Sequence, residues 1–356
     1  MDILILLGAL LVILLGAELF TNGIEWFGRK LDLAEGAVGS VLAAVGTALP
    51  ETLIPIVAIL FGGSGASSEA AHEVGVGAIL GAPFMLSTLA MFVTGAGVVF
   101  YGRRRAARDE MPVDTGTLGK DVRYFYMTYA IAVGSAFIPI EFGWVRPVIA
   151  VLLILLYALY VKGHFDSDAA MDHSADLAPL RFHRLDARGR RVDPSVPRLR
   201  IVSLQVIAAL GLILLGAVFF VDAVEHLSLT LGVPPAILAL VVAPIATELP
   251  EKFNSILWVR QGKDTLAMGN ITGAMVFQSC IPVTVALLFA AESWTVDRDS
   301  LVSFASAGMA FLSTAAIFLP MARRGRLTGR GLMLGGAFYI AYLALVVAEL
   351  TGVLPR

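Results

Sequence analysis

The chain has 356 residues, 58% of them hydrophobic and only 15% charged, with a mean hydropathy of +0.82. Water-soluble domains carry about a quarter charged residues, so this composition points to an integral membrane protein. The net charge of −2 identifies no partner, and the single cysteine, Cys280, excludes a disulfide framework or a cysteine zinc site.

At about 20 residues per hydrocarbon crossing, ten apolar spans are predicted. They lie near 2–28, 33–61, 71–101, 124–140, 144–161, 200–226, 233–260, 264–290, 299–320 and 330–350. The first lacks a basic leader and a small-x-small cleavage site, so it reads as a membrane helix and not as a signal peptide. Only the short, polar-edged "IPIEFGWVRP" divides the fourth from the fifth. Taking alternate connections, 22 of the 26 Lys and Arg fall on one side. These include Arg29, Lys30, the "RRRAAR" group, Lys120, Arg123, the eight basic residues of 162–200, and the arginines of 323–330. Arg146, Arg298 and Arg356 fall on the other side, and Lys252 lies inside a span. The positive-inside rule then places the basic side in the cytoplasm and both termini outside a cell (inner) membrane.

The chain repeats itself. At an offset of 200 residues, "ILLGA" at 13–17 recurs at 213–217, Glu25 falls on Glu225, and "TALPE" (47–51) falls on "TELPE" (247–251). Of the 39 positions from 13 to 51, 14 are identical. At an offset of 192, "VGVGAILGA" (74–82) matches "LAMGNITGA" (266–274). Each copy holds five spans. An odd number means that the second enters the membrane from the opposite face, an inverted repeat whose site lies at the midplane. The expected fold is an all-α integral membrane protein of two five-helix repeats, 1–161 and 200–356, joined by a polar cytoplasmic connector, 162–199.

The chemistry gathers at the Pro-Glu pairs. Pro50 leaves the carbonyl of Gly46 without a helical partner, and Pro250 does the same to Ala246. Glu51 sits four residues after Thr47, and Glu251 four after Thr247, so each hydroxyl shares a face with its carboxylate. Glu248 adds a third acid. Carboxylates, hydroxyls and loosened carbonyls are the oxygen ligands preferred by hard cations such as Ca²⁺ and Na⁺. Three ionised acids at membrane depth cost roughly 8–10 kcal/mol unless cations or protons neutralise them. A cluster that accepts either a cation or a proton is the working part of an antiporter. Against this stands a packing role, in which buried salt bridges merely hold helices together; the one lysine at hand, Lys252, cannot neutralise three acids. In the next helices "GAILGA" (77–82) and "GNITGA" (269–274) allow close backbone approach. There Asn270 and Gln278 offer amide oxygens where the first repeat has Ala78 and Leu86, and Pro282 frees the Gln278 carbonyl.

At these residues the sequence resembles the sodium/calcium exchanger family of cation/calcium antiporters, whose repeat signatures have the form Gly-Thr-Ser-x-Pro-Glu followed by a Gly-Ser-x-x-x-Asn/Asp helix. "GTALPE" (46–51) and "ATELPE" (246–251) match the first signature, and "GAPFML" (81–86) and "GAMVFQ" (273–278) match the second less well. The resemblance implies that Glu51 and Glu251 are the central ion ligands, with Thr47 and Thr247 adding oxygens and helices one and six acting as gates. The signature serines are replaced by Ala48, Glu248, Ala82 and Ala274. A smaller, lopsided cation site is therefore expected, with proton coupling as a strong alternative to sodium.

Other signals are weaker. The histidines and aspartates of the connector fit a solvated loop. His72-Glu73 lacks the second histidine of a zinc protease helix. "GRRRAAR" reads as a basic anchor at the lipid surface, Cys280 as a packing residue, and Glu25 and Glu225 as acids near water. The sequence thus predicts a secondary active antiporter exchanging Ca²⁺ or a similar cation for Na⁺ or H⁺. Its site residues are Glu51, Glu251, Thr47, Thr247, Glu248, Gln278 and Asn270. Its partners are inorganic cations and the lipid bilayer, with no cofactor, nucleic acid or obligatory protein partner. A monovalent cation exchanger such as Na⁺/H⁺ on the same fold is the alternative, and an intramembrane enzyme lacks any supporting motif.

Overall fold

The computed structural model describes residues 2–30, 43–62, 66–165, 178–185, 197–247 and 249–353. In chain order the helices are α1 (Asp2–Lys30), α2 (Ala43–Phe61) and α3 (Ala66–Met85). The last runs through a π-helical turn (Leu86–Ala90) into α4 (Met91–Tyr101). Then follow α5 (Thr115–Ser135), α6 (Val145–Phe165), α7 (Leu199–Leu231), α8 (Pro235–Thr247), α9 (Leu249–Arg260) and α10 (Asp264–Phe289). The last are α11 (Leu301–Arg324), α12 (Gly329–Leu332) and α13 (Leu334–Leu350). A two-residue ribbon pairs β1 (Glu110–Met111) antiparallel with β2 (Leu327–Thr328) on the arginine-rich side.

Among the described residues, seven helical segments are long and apolar enough to cross a membrane, and Glu51–Phe61 and Pro235–Pro244 are shorter apolar helices. The chain is therefore an all-α, multi-pass membrane protein. Large apolar side chains such as Leu4, Leu7 and Leu11 of α1, and Ile207, Leu215 and Phe219 of α7, are exposed on its outside. On a soluble monomer such belts would be a liability; here lipid covers them. Burial ranks the spans. The apolar windows of Ser68–Arg104 and Asp264–Phe289 are 83% and 78% buried, against 22% for Val145–His164 and 28% for Gly329–Leu350. The second-signature helices, α3–α4 and α10, thus form the centre, and α6 and α13 face lipid.

Two helix crossings organise this bundle. Where α1 crosses α7, a Cβ on Gly16 would lie 2.7 Å from Ile213 Cγ1 and 3.1 Å from Ala209 O, and one on Gly216 would lie 2.7 Å from Ile13 Cγ1 and 3.1 Å from Ala9 O. Each partner is shifted from its counterpart by 200 residues, so the contact is its own mirror in sequence. Where α3 crosses α8, Gly77 and Gly81 bring α3 onto the backbone of Ala236 and Leu240. Small residues at both crossings let the backbones touch. Residues 178–185 close one end of the α1–α7 seam. Trp26 Nε1 donates to Ala178 O at 2.8 Å, and the amides of Arg181 and Phe182 donate to Asn22 Oδ1 and Gln205 Oε1.

Several predicted boundaries shift. The fourth span, expected at 124–140, is a helix from Thr115 to Ser135, because the Asp114 side chain accepts from the Gly116 and Thr117 amides and starts the helix well upstream. The sixth runs on to Leu231 and stops at Gly232, whose φ of 65° is left-handed. Of the second span, residues 33–42 lie outside the described residues, as does most of the 162–199 connector. The basic anchor is also less uniform than expected. Arg105 is buried and holds both carboxylate oxygens of Asp264, at 2.8 and 2.6 Å, which ties the first turn of α10 to the segment after α4. Arg146, expected in an exposed connection, is buried and donates to the carbonyls of Ala291 and Ile138.

Candidate ion site

Glu51 lies on α2 directly after Pro50, and its side chain is only 5% exposed. Gln278, 1% exposed, reaches it from the middle of α10, with Nε2 3.3 Å from Glu51 Oε2. The contact joins residues 227 apart in the chain, one from each half. The amide donates to the carboxylate, while Gln278 Oε1 is buried without a hydrogen-bond partner among the described residues. A buried amide oxygen left in this way is costly, and it is the atom that a cation beside Glu51 would take. A half-turn of the same amide would present it.

The other predicted ligands divide into three groups. The side chains of Thr47 and Glu251, and Glu248 as a whole, lie outside the described residues. Thr247 is buried at the end of α8, but its hydroxyl donates back to Ala243 O at 3.1 Å, within its own helix. Asn270 is half-buried on α10, eight residues from Gln278. At 1.5 Å per residue that is about 12 Å along the helix, so the two amides cannot ligate one cation whose ligands stand at about 2.3–2.6 Å. The structure brings together Glu51 and Gln278, and it sets Asn270 apart. Lys252, beside Glu251 on α9, is buried.

The first central helix widens into a π-turn at the place where the second carries a proline within continuous α-helix. The π-turn Leu86–Ala90 corresponds, at the offset of 192, to Gln278–Pro282 of α10. π-turns and helix-interior prolines both loosen backbone carbonyls, and such turns recur at functional positions. Leu86 therefore occupies the position of Gln278 without its oxygen. Cys280 is a buried free thiol, in keeping with packing. Glu25 and Glu225 are half-buried within α1 and α7, short of full exposure.

Sequence reasoning missed a second buried acid. Asp121 is 1% exposed on α5. A hydropathy reading leaves it in a loop between Lys120 and Arg123, and the cap formed by "DTGT" at 114–117 is the signal that would have moved it into a helix.

An ionisable side chain buried inside a multi-pass helical bundle marks a functional position, and the family that the chain matches is one of membrane transporters, not enzymes. The profile of the sodium/calcium exchanger protein family matches residues 1–163 and 201–350, and the chain belongs to that family. It is 23% identical over 341 residues, 91% of each chain, to a putative antiporter, CaxA, of Alkalimonas amylolytica. It is 22% identical over 288 residues, 79% of each chain, to an uncharacterized membrane protein of Methanocaldococcus jannaschii. Among solved structures it is similar to the H⁺/Ca²⁺ exchanger CAX, with a TM-score of 0.71 and 16% identity over 98% of this chain and 87% of that one. It is also similar to the sodium-calcium exchanger NCX_Mj, with a TM-score of 0.57 and 18% identity over 97% and 99%. These likenesses establish the fold.

Proposed function

We propose that this chain is a secondary active antiporter that exchanges Ca²⁺, or a similar cation, for Na⁺ or H⁺ across a cell membrane. It would span the bilayer ten times as two inverted five-helix repeats, with its arginine-rich side in the cytoplasm and both termini outside. The observation that carries the reading is the buried Glu51–Gln278 contact, which aims an acid and an amide from opposite halves at one point. The reciprocal Gly16 and Gly216 crossings support the inverted repeat. The names of the two similar exchangers and of the putative antiporter support the cation class.

In this reading Glu51 and Glu251 form the charged core of the site, with Glu248 adjusting its charge. The hydroxyls of Thr47 and Thr247 and the Gln278 oxygen complete the shell, to which Asn270 does not belong. A buried carboxylate pair repels itself. A cation removes that repulsion from one side of the membrane, and protons or sodium remove it on the way back, so the empty, doubly ionised site is the costly state. That cost links the two fluxes. Two substitutions favour protons as the counter-ion: Leu86 and Ala82 remove oxygens that extra sodium ions would need.

The test is Ca²⁺ tracer uptake by purified protein in liposomes, under an imposed Na⁺ gradient and separately under a pH gradient. Uptake should follow at least one gradient and fall about tenfold or more in Glu51→Gln, the worth of one charge-assisted ligand. Flux without any counter-ion would mean a channel. Parent-like uptake by the variant would remove Glu51 from the site.

A further inference from the structure

Asp121 lies outside the proposed ion site, and nothing in the exchange reaction requires it. Yet its carboxylate is buried in the bundle and accepts three side-chain hydrogen bonds. Tyr160 Oη and His164 Nε2, both on α6, donate to Oδ1 at 3.0 Å each. Thr272 Oγ1, on α10, donates to Oδ2 at 2.6 Å. A charged acceptor at this distance makes the stronger kind of hydrogen bond. The Thr272 hydroxyl has one hydrogen and a second acceptor within reach, Met268 O at 3.1 Å on its own helix. The shorter, charge-assisted contact to Asp121 takes that hydrogen.

A second link joins the same pair of helices. Thr128 Oγ1 of α5 and Ser279 Oγ of α10 are 2.7 Å apart. From Asp121 to Thr128 is seven residues, and so is the step from Thr272 to Ser279. The equal, same-sense steps mean that α5 and α10 run parallel, held by two polar rungs about 10.5 Å apart. A one-residue register shift of α10, which turns it by about 100° as well as moving it about 1.5 Å, would break both. The upper rung is the residue next to Gln278. The lower rung leaves α10 about 120° around the helix from Gln278, since six residues turn about 600°. The rungs therefore grip α10 on its α5–α6 side and leave Gln278 on the side that faces Glu51.

We infer that Asp121 is a positioning residue for the ion site: through Thr272, and in step with the Thr128–Ser279 rung, it sets the height and rotation of α10 and hence the reach of Gln278 to Glu51. This rests on the antiporter reading of the Glu51–Gln278 site. A carboxylate is suited to the task because it accepts from α6 and α10 at once, so that both lipid-facing and central helices are referred to one atom group. The aligned position of Thr272 in the first half is Leu80, which is buried and has no hydroxyl to offer. The hydroxyl that Asp121 holds is thus present only in the copy that carries the amide, and α5 of the other half does the holding.

The test compares Thr272→Val, Thr272→Ser and Thr128→Val with the parent, after size-exclusion chromatography has shown each to be folded. In Thr272→Val the Ca²⁺ concentration for half-maximal uptake should rise about tenfold, the lower end of what loss of an outer partner costs a metal site, while the maximal rate per folded protein stays within about twofold. Thr272→Ser, which keeps the hydroxyl, should restore the parent value. A purely structural role would lower folded yield without moving this concentration. Parent-like half-saturation in Thr272→Val, or no rescue by serine, overturns the proposal; if Thr272→Val does not fold, Thr128→Val carries the same expectation. Amide hydrogen exchange across residues 268–279 separates this from a failure of the antiporter reading. Should the parent move no cation, exchange should still be faster in Thr272→Val, and unchanged exchange would sink the rung itself.

Discussion

Replacing Gly81 with alanine puts one methyl group where α3 lies against α8. Its Cβ would stand 2.8 Å from Pro244 Cγ and 3.0 Å from Leu240 Cα, and nearer still to the Leu240 carbonyl oxygen. Carbon contacts are optimal at about 3.5–4.0 Å, so the helices must part by about 0.7 Å or more. A tilt cannot absorb this, because one turn earlier Gly77 sits against the Ala236 backbone in the same way. Overpacking of this kind costs about 1–3 kcal/mol. Glycine-to-alanine in a helix interior otherwise gains about 0.5–1 kcal/mol, which leaves a net loss of about 1 kcal/mol at mid-range and about 2.5 at most. Gly8 in α1 supplies the control. No described atom lies within 4 Å of its added Cβ, so Gly8→Ala should keep only the gain. Thermal unfolding in detergent, followed by fluorescence-detected size exclusion, should rank Gly81→Ala below the parent and Gly8→Ala level with it or above. Equal midpoints for the two variants would refute the argument that backbone contact, and not glycine content, holds α3 to α8.

Arg105→Met leaves Asp264 buried without its partner, a loss of about 3–5 kcal/mol; Arg105→Met/Asp264→Leu should recover most of it. A double variant whose loss is the sum of the two single losses would show that the pair does not act as a unit. Asp114→Ala removes the cap of α5 and should cost about 1 kcal/mol near neutral pH. The Thr117 hydroxyl first, and then the Thr117 and Gly116 amides, hold the Asp114 carboxyl below its usual range. A carboxyl depressed in the folded state contributes stability above the unfolded value of about 3.9 and loses it as pH falls through the folded one. The gap in melting temperature between parent and Asp114→Ala should therefore close in acid and stay constant above about pH 5. A gap that persists unchanged in acid would mean that the cap does not act through the ionised carboxylate.

The parts of the fold that depend on local signals were readable in the chain. Glu51 and Gln278 could be singled out because each carries its own marker, a proline before the acid and one four residues after the amide. The Gly-x-x-x-Gly face of α3 likewise met a neighbouring backbone. What escaped were side chains whose state is set by a distant partner. Asp121 resembles a loop acid until Thr272, 151 residues away, donates to it. Arg105 resembles its exposed neighbours until it meets Asp264, 159 residues on. Charge near a membrane surface reads as solvated by default, and only tertiary contact overrides that. Asn270 shows the reverse case: its residue type suits a ligand, and the rise of α10 places it about two turns from the amide that reaches Glu51.

The two aligned central helices answer one positional demand by different physics. In the first half, Gly77 and Gly81 seat α3 on the α8 backbone, and a glycine contact fixes the distance between helices by shape alone. Among the described residues that crossing itself carries no directed bond, and the nearest one lies beyond it, where Ser313 Oγ donates to Ser87 O at 2.6 Å. In the second half α10 is held to α5 by the Asp121–Thr272 and Thr128–Ser279 contacts, and a hydrogen bond fixes direction as well as distance. Rotation matters only where a side chain must be aimed. Leu86, at the start of the π-turn after α3, has nothing to aim, whereas Gln278 of α10 brings one amide within 3.3 Å of Glu51. In the antiporter reading the helix that must aim an amide is the one held by two side-chain rungs, whereas the stretch around Leu86 takes one such contact among the described residues, from Ser313 Oγ to the Ser87 carbonyl.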